Sequence, residues 1–106
     1  MIIISVPNEN DSVCKITLSN RIYHLRFTWN DASKIWSFGI YDDMMNPIVP
    51  MTRIVVQIPL LHYYTYSGLP DGDFMAVKLS GDDIGREDFA SGNAAFAFIP
   101  SEEWTV

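Results

Sequence analysis

Residues 23–29 read YHLRFTW, and an apolar or aromatic side chain occupies every second position of this stretch. Four such side chains fall on one side of an extended chain: Tyr23, Leu25, Phe27 and Trp29. Because successive side chains of a β-strand point to opposite faces, this period of two predicts a strand with one buried and one solvated face. The stretch therefore indicates a β-sheet protein.

The same alternation continues on both sides of this strand. Before it, apolar and polar side chains alternate along residues 14–18. The polar turn at residues 19–21 predicts a hairpin between the two strands, because Asn20 tolerates positive φ. Residues 36–40 alternate after it, beyond a second turn at residues 30–34. The N-terminal half is therefore predicted to be a three-stranded meander.

Shorter strands are predicted along the rest of the chain. They cover residues 1–6, 47–51, 53–58, 74–79 and 94–99. The polar residues 80–93 are predicted to form a loop with one helical turn at 86–89, and residues 100–106 a tail. With 106 residues, the sequence predicts a single β domain over residues 1–106. Its class is all-β, either a small antiparallel β-sandwich or a partly open barrel.

Composition and charge exclude several classes of protein. Hydrophobic residues make up 48% of the chain and charged residues 19%, which is typical of a globular domain. The net charge of −6 disfavours a nucleic-acid partner, because phosphate contacts need a basic face. The apolar run at residues 1–6 is too short for a signal sequence or a membrane span, so no membrane partner is expected.

No pattern of residues predicts catalysis, a metal site or a cofactor. His24 and His62 lie on different predicted segments, and neither has a second ligand at metal-binding spacing. Cys14 is the single cysteine, and its place on the inward face predicts a core thiol. The carboxylates from Asp82 to Asp88 lack the alternating spacing of a calcium loop. The chain is therefore predicted not to be an enzyme.

Aromatic residues and methionines near turns are the remaining signal. They form two groups: Tyr41, Met44 and Met45 in the first, and Tyr63, Tyr64 and Tyr66 in the second. Such side chains are favoured at the centre of protein interfaces. An interface and ordinary core packing both remain open for the two groups.

Two other functions remain possible on the sequence alone. The first is a small ligand-binding β-barrel with an aromatic pocket, lined by Tyr23, Trp29, Trp36 and Phe38. The second is a cation-dependent hydrolase that uses the carboxylates of residues 82–88.

The sequence also resembles a known family. Residues 23–30 (YHLRFTWN), then Trp36, and residues 40–42 (IYD) ahead of Pro47 resemble the phage baseplate plug family. The resemblance continues through residues 58–61 (IPLL), 67–74 (SGLPDGDF) and 96–100 (FAFIP), and covers residues 12–100. The family motif falls on Tyr23, Leu25, Phe27, Trp29 and Trp36, which are therefore expected in the core.

The resemblance implies a virion structural protein rather than an enzyme. Such a protein would lie at the centre of the tail baseplate of a contractile-tailed phage or prophage, packed against hub and spike proteins. It would reside in the host cytoplasm before assembly, and the loop at residues 80–93 is expected to order on assembly. Whether it forms a homo-oligomer is left open.

Overall fold

The computed structural model describes residues 2–18, 20–56, 60, 70, 72–79 and 83–101. Within them, seven strands and one short helix follow each other: β1 (Ile2–Ile4), β2 (Asp11–Leu18), β3 (Arg21–Asn30), β4 (Ile35–Tyr41), β5 (Pro47–Arg53), β6 (Gly72–Lys78), α1 (Asp88–Ser91) and β7 (Ala94–Pro100). They form two antiparallel sheets with the strand orders β1-β7-β6 and β2-β3-β4-β5. The sheets do not close into a barrel, so the predicted all-β class is confirmed in its sandwich form.

The predicted meander makes up the first three strands of the larger sheet. Leu18 pairs with Arg21 at the hairpin between β2 and β3, and Asn20 has the positive φ of 64° that the turn was expected to need. In the next pair of strands, Phe27 lies opposite Phe38. Aromatic side chains of β3 and β4 therefore lie side by side on one face of the meander.

Contacts between aromatic rings join the two sheets. Phe96 of β7 is fully buried, and its ring centroid lies 5.3 Å from that of Phe27 and 5.2 Å from that of Phe38. Phe74 of β6 lies 5.5 Å from Phe38 and 5.6 Å from Phe96. Edge-to-face and offset pairs at these distances stabilise a core beyond the burial of their area. The core therefore lies between the sheets, with β6 opposite β4, and β7 opposite β3 and β4.

Residues 53–58 do not form the predicted strand in their described part. β5 ends at Arg53, and the next N–H, that of Ile54, donates to the Trp36 carbonyl at 2.9 Å. Val56 then makes an isolated parallel bridge to Ala76 in the smaller sheet. Because its backbone bonds first to one sheet and then to the other, this segment is a crossing between sheets. Residues 57–59 lie outside the described residues.

Residues 83–93, here called the strap, lie against the end of the sandwich that carries Trp36. The Trp36 indole N–H donates to the Gly85 carbonyl at 3.1 Å, and its ring lies 5.7 Å from that of Phe89. Arg86 packs 5.4 Å over the Trp36 ring and donates to the side-chain oxygens of Asn8 and Asn10. The expectation that the loop orders only on assembly is therefore wrong for residues 83–93, because the single chain already holds them. Residues 80–82 lie outside the described residues.

Asp88 fixes the strap through both oxygens of its carboxylate. One oxygen accepts the Gly85 N–H at 2.5 Å and pairs with the Lys78 ammonium at 3.0 Å, and the other accepts the Asn93 amide at 3.1 Å. These hydrogen bonds, that from Gly85 first, hold the pKa of Asp88 below its ordinary value. The stability that Asp88 contributes is therefore present above the unfolded pKa of about 3.9 and is lost as pH falls through the lower folded value.

Asp88→Asn is predicted to reduce the free energy of unfolding at neutral pH by about 1–3 kcal/mol, because hydrogen bonds to a charged group are lost. The difference from wild type should shrink as pH falls below the unfolded pKa of about 3.9, because the Asp88 carboxylate then begins to lose its charge. Urea unfolding at pH 7 and near pH 3 measures it. Asp31→Asn is the matched control, since Asp31 is 82% exposed in its pair with Lys34 and contributes little. A difference that persists unchanged in acid would contradict the prediction.

Phe96→Ala is predicted to destabilise the domain by about 3–5 kcal/mol, because it leaves a cavity where four aromatic rings meet. Those rings belong to Phe27, Phe38, Phe74 and Phe89. Thermal and urea unfolding measure the loss. Val77→Ala, at a position 42% exposed on β6, should change stability far less.

Candidate interaction surfaces

A tight turn at residues 42–46 is organised by one carboxylate. Oδ1 of Asp42 accepts the N–H groups of Met44 at 2.9 Å and Asn46 at 2.8 Å. The Asp42 backbone also exchanges bonds with Met45 and Asn46. The bond from the Asn46 N–H is the largest cause that keeps the pKa of Asp42 below its ordinary value. Sequence reasoning missed this role, although an aspartate that opens a turn is a known signal for such bonding.

This turn, here called the methionine turn, presents two apolar side chains to solvent. Met44 is 76% exposed and Met45 is 46% exposed, the latter at a φ of 64°. Their exposure does nothing for the stability of the single chain. Methionine is flexible and polarisable, so it adapts to the surface of a partner. The turn therefore combines a fixed backbone with flexible apolar side chains that are exposed to solvent.

Tyr41 lies next to the methionine turn, at the end of β4. It is half-buried opposite His24, and it also accepts a hydrogen bond from the Arg26 guanidinium. Arg26 makes a two-pronged pair with Asp11, at 2.9 and 2.6 Å, which lowers the pKa of that carboxyl. Tyr41, Met44 and Met45 are thus brought together at one end of the larger sheet. Tyr63, Tyr64 and Tyr66 lie outside the described residues.

A surface groove of about 580 Å³ lies at the opposite end, beside the strap. Trp29 lines it together with four basic side chains and three carboxylates: Lys34, Arg53, Lys78, Arg86, Asp31, Asp83 and Asp88. It is not the aromatic pocket that the barrel hypothesis predicted. The other three side chains of that pocket are at most 2% exposed and are packed in the core: Tyr23, Trp36 and Phe38. These side chains therefore do not line an open pocket, so the predicted aromatic pocket is wrong.

Most of the residues considered for metal or catalytic chemistry have other partners or lie outside the described residues, although Asp83 and Asp88 both line the charged groove. Nδ1 of His24 lies 3.1 Å from the Asp42 carbonyl, and His62 lies outside the described residues. In the part of the chain that the structure describes, no three histidine, cysteine, aspartate or glutamate side chains are grouped to hold a metal ion. Cys14 is half-buried, and burial raises the pKa of its thiol. Asp82 lies outside the described residues, and Asp88 is bonded within the strap.

No helix among the described residues has the length and apolar character needed to cross a bilayer. The described surface is instead that of a small sandwich with a methionine turn at one end and a charged groove at the other.

Comparison with known proteins identifies the family to which the chain belongs. None of the curated proteins is significantly similar to the chain. A family model described as "Cyanophage baseplate Pam3 plug gp18" matches residues 1–101, which include every strand of both sheets. The match extends the resemblance seen in residues 12–100 to the first strand, and it supports a structural role in a phage tail baseplate. The chain belongs to the cyanophage baseplate plug family.

Proposed function

We propose that this chain is a non-catalytic structural plug of a phage or prophage tail, which packs against hub and spike proteins of the baseplate. The observation that carries the proposal is the methionine turn, a fixed backbone with two exposed apolar side chains. Before assembly the protein resides in the host cytoplasm, where its net charge of −6 favours solubility.

The geometry of the turn supports docking at this end of the sandwich. Asp42 holds the turn through backbone bonds, so a partner does not have to order it on binding. A preordered surface loses less conformational entropy when it binds. Tyr41 adds an aromatic ring with a polar end beside the methionines, as interface centres commonly do.

The second contact group is proposed from the sequence alone. Tyr63, Tyr64 and Tyr66 follow a pair of leucines, and both faces of that segment are apolar or aromatic. A segment of this kind either packs between two layers or contacts a partner. We propose that it contacts the same partners as the methionine turn.

Two observations support a binding role over catalysis. The family description names a baseplate component, and the aromatic interior of the described sandwich is occupied by its own side chains. The surface, rather than an internal pocket, is then where this protein acts.

Met44→Ser combined with Met45→Asn is predicted to reduce co-purification of hub and spike proteins about tenfold or more, because two apolar contacts are lost. Asparagine is chosen at position 45 because it tolerates positive φ. The tagged chain is purified from its host while tails are being made, and the captured tail proteins are quantified by mass spectrometry. The thermal unfolding midpoint should stay close to that of wild type.

The matched control is Leu79→Ser. Leu79 is 83% exposed and follows β6 beside the strap, at the end of the sandwich away from the methionine turn. It should leave capture of the hub and spike proteins unchanged. Equal capture by the methionine variant and wild type would contradict the proposed docking end. A wild-type chain that captures no tail proteins would contradict the proposed function.

Tyr63→Ser combined with Tyr64→Ser is predicted to weaken capture of the same partners with little loss of stability, because two of the proposed contact side chains are removed. Circular dichroism and thermal unfolding report the fold, and the same purification reports binding. If the variant unfolds instead, these tyrosines belong to the core and the interface assignment there is wrong.

A further inference from the structure

The edges of the two sheets differ in how well they are protected. β5 carries Pro47 and Pro50, and its pairing with β4 is broken by register shifts. The outer edge of β6 receives the Val56 bridge and the Leu60 N–H, and β1 is only three residues long. Prolines, irregular pairing, covering segments and short length all hinder the addition of another strand.

In the part of the chain that the structure describes, β2 has none of these protections. It is eight residues long, contains no proline and pairs with β3 in an unbroken register from Asp11 to Leu18. Among the described residues, no strand pairs with its other edge. A long regular edge of this kind is a template for another strand.

The backbone of β2 shows which residues face that open edge. The Asn10 carbonyl accepts the Trp29 N–H at 2.8 Å, so Asn10 directs its backbone groups toward β3. Because backbone direction alternates along a strand, the N–H and C=O groups of Asp11, Val13 and Lys15 point the other way. The side chains of these three residues are all exposed, on the outer face of the larger sheet.

The spacing of charges on this edge is self-complementary. Asp11 and Lys15 stand two positions before and after Val13, which is 48% exposed. In an antiparallel pair with a two-fold axis at Val13, each Asp11 lies opposite Lys15 of the second copy and Val13 lies opposite Val13. Oppositely charged pairs and apolar pairs across strands are both stabilising. Asp11 already binds Arg26, but a carboxylate has further acceptor positions for a second cation.

Two neighbouring registers lack this match. An axis at Lys15 would place two ammonium groups directly opposite each other, which is destabilising. An axis at Cys14 would place Val13 opposite Lys15 and leave neither charge directly opposite its counterpart.

The inner face of β2 is also incomplete in the single chain. Cys14 and Ile16 are only half-buried against the core. The Ser12 hydroxyl is buried without a hydrogen-bond partner among the described residues. In the register centred on Val13, Ser12 lies opposite Cys14 of the second copy. β1 lies on the same flank, since β6 and β7 cover β4 and β3, and its Ile3 is 59% exposed.

We propose that two copies of this chain pair through antiparallel β2 strands, about a two-fold axis at Val13, and form one continuous sheet with four strands from each copy. The pairing completes the backbone bonding of β2 and covers its half-buried inner face. It goes beyond the proposed baseplate function and does not depend on the hub and spike contacts.

Sedimentation equilibrium of the purified chain over a wide concentration range tests the proposal. We expect a monomer–dimer equilibrium. Lys15→Glu should raise the dimer dissociation constant about tenfold or more, because it places like charges opposite each other twice. Lys34→Glu is the matched control, since Lys34 is 70% exposed and lies outside β2, and it should leave the equilibrium unchanged. A chain that stays monomeric at all concentrations would overturn the proposal.

Site-specific cross-linking tests the register. In a Cys14→Ala background, Val13→Cys should form a disulfide between copies on mild oxidation, because facing residues of a bonded antiparallel pair have Cα atoms about 5.5 Å apart, within disulfide range. Thr17→Cys in the same background is the control. It has the same exposed face and edge, but in this register it lies far from its counterpart and should not cross-link. Equal cross-linking at both positions, or none at position 13 in a dimer, would overturn the assigned pairing.

Discussion

The packing of aromatic rings around Phe96 is the interaction on which the rest of the structure depends. Phe27 and Phe38 approach it from the larger sheet, Phe74 from its own sheet and Phe89 from the strap. The described sandwich, with its seven strands, has a small core, so a few large rings contribute much of its buried apolar surface. The two sheets and the strap are therefore held by one cluster of side chains.

The two ends of the sandwich differ in the side chains that they expose to solvent. At one end Trp36 joins the core to the strap through its ring and its indole N–H, and charged side chains line the groove beside it. At the other end the chain turns sharply at Asp42 and leaves Met44 and Met45 in solvent. The proposed docking surface lies at the apolar end, because desolvating methionine costs little compared with desolvating paired charges.

Much of the fold could be predicted from the alternation of residues, and much of the candidate interface could not. The period of two along β2, β3 and β4 reports directly on side-chain direction, so the meander and its turn at Asn20 were predicted correctly. The segment after β5 misled the same reasoning: its β-branched residues suit a strand, but the N–H of Ile54 and the bridge of Val56 bond to different sheets. Local propensity contains no information about which edge a segment will reach.

The sequence by itself determined the all-β class, the aromatic face of the meander and, through the motif of residues 23–30, the resemblance to the baseplate plug family. Only the tertiary structure decided that the rings of Tyr23, Trp36 and Phe38 are buried in the core, that Asp88 and Arg86 hold the strap, and that no described strand pairs with the outer edge of β2. The physical reason is the range of the interactions. Alternation and turn preference act between neighbours in the chain, whereas ring packing, ion pairs and strand order join residues that are distant in sequence and meet only when the sheets pack together.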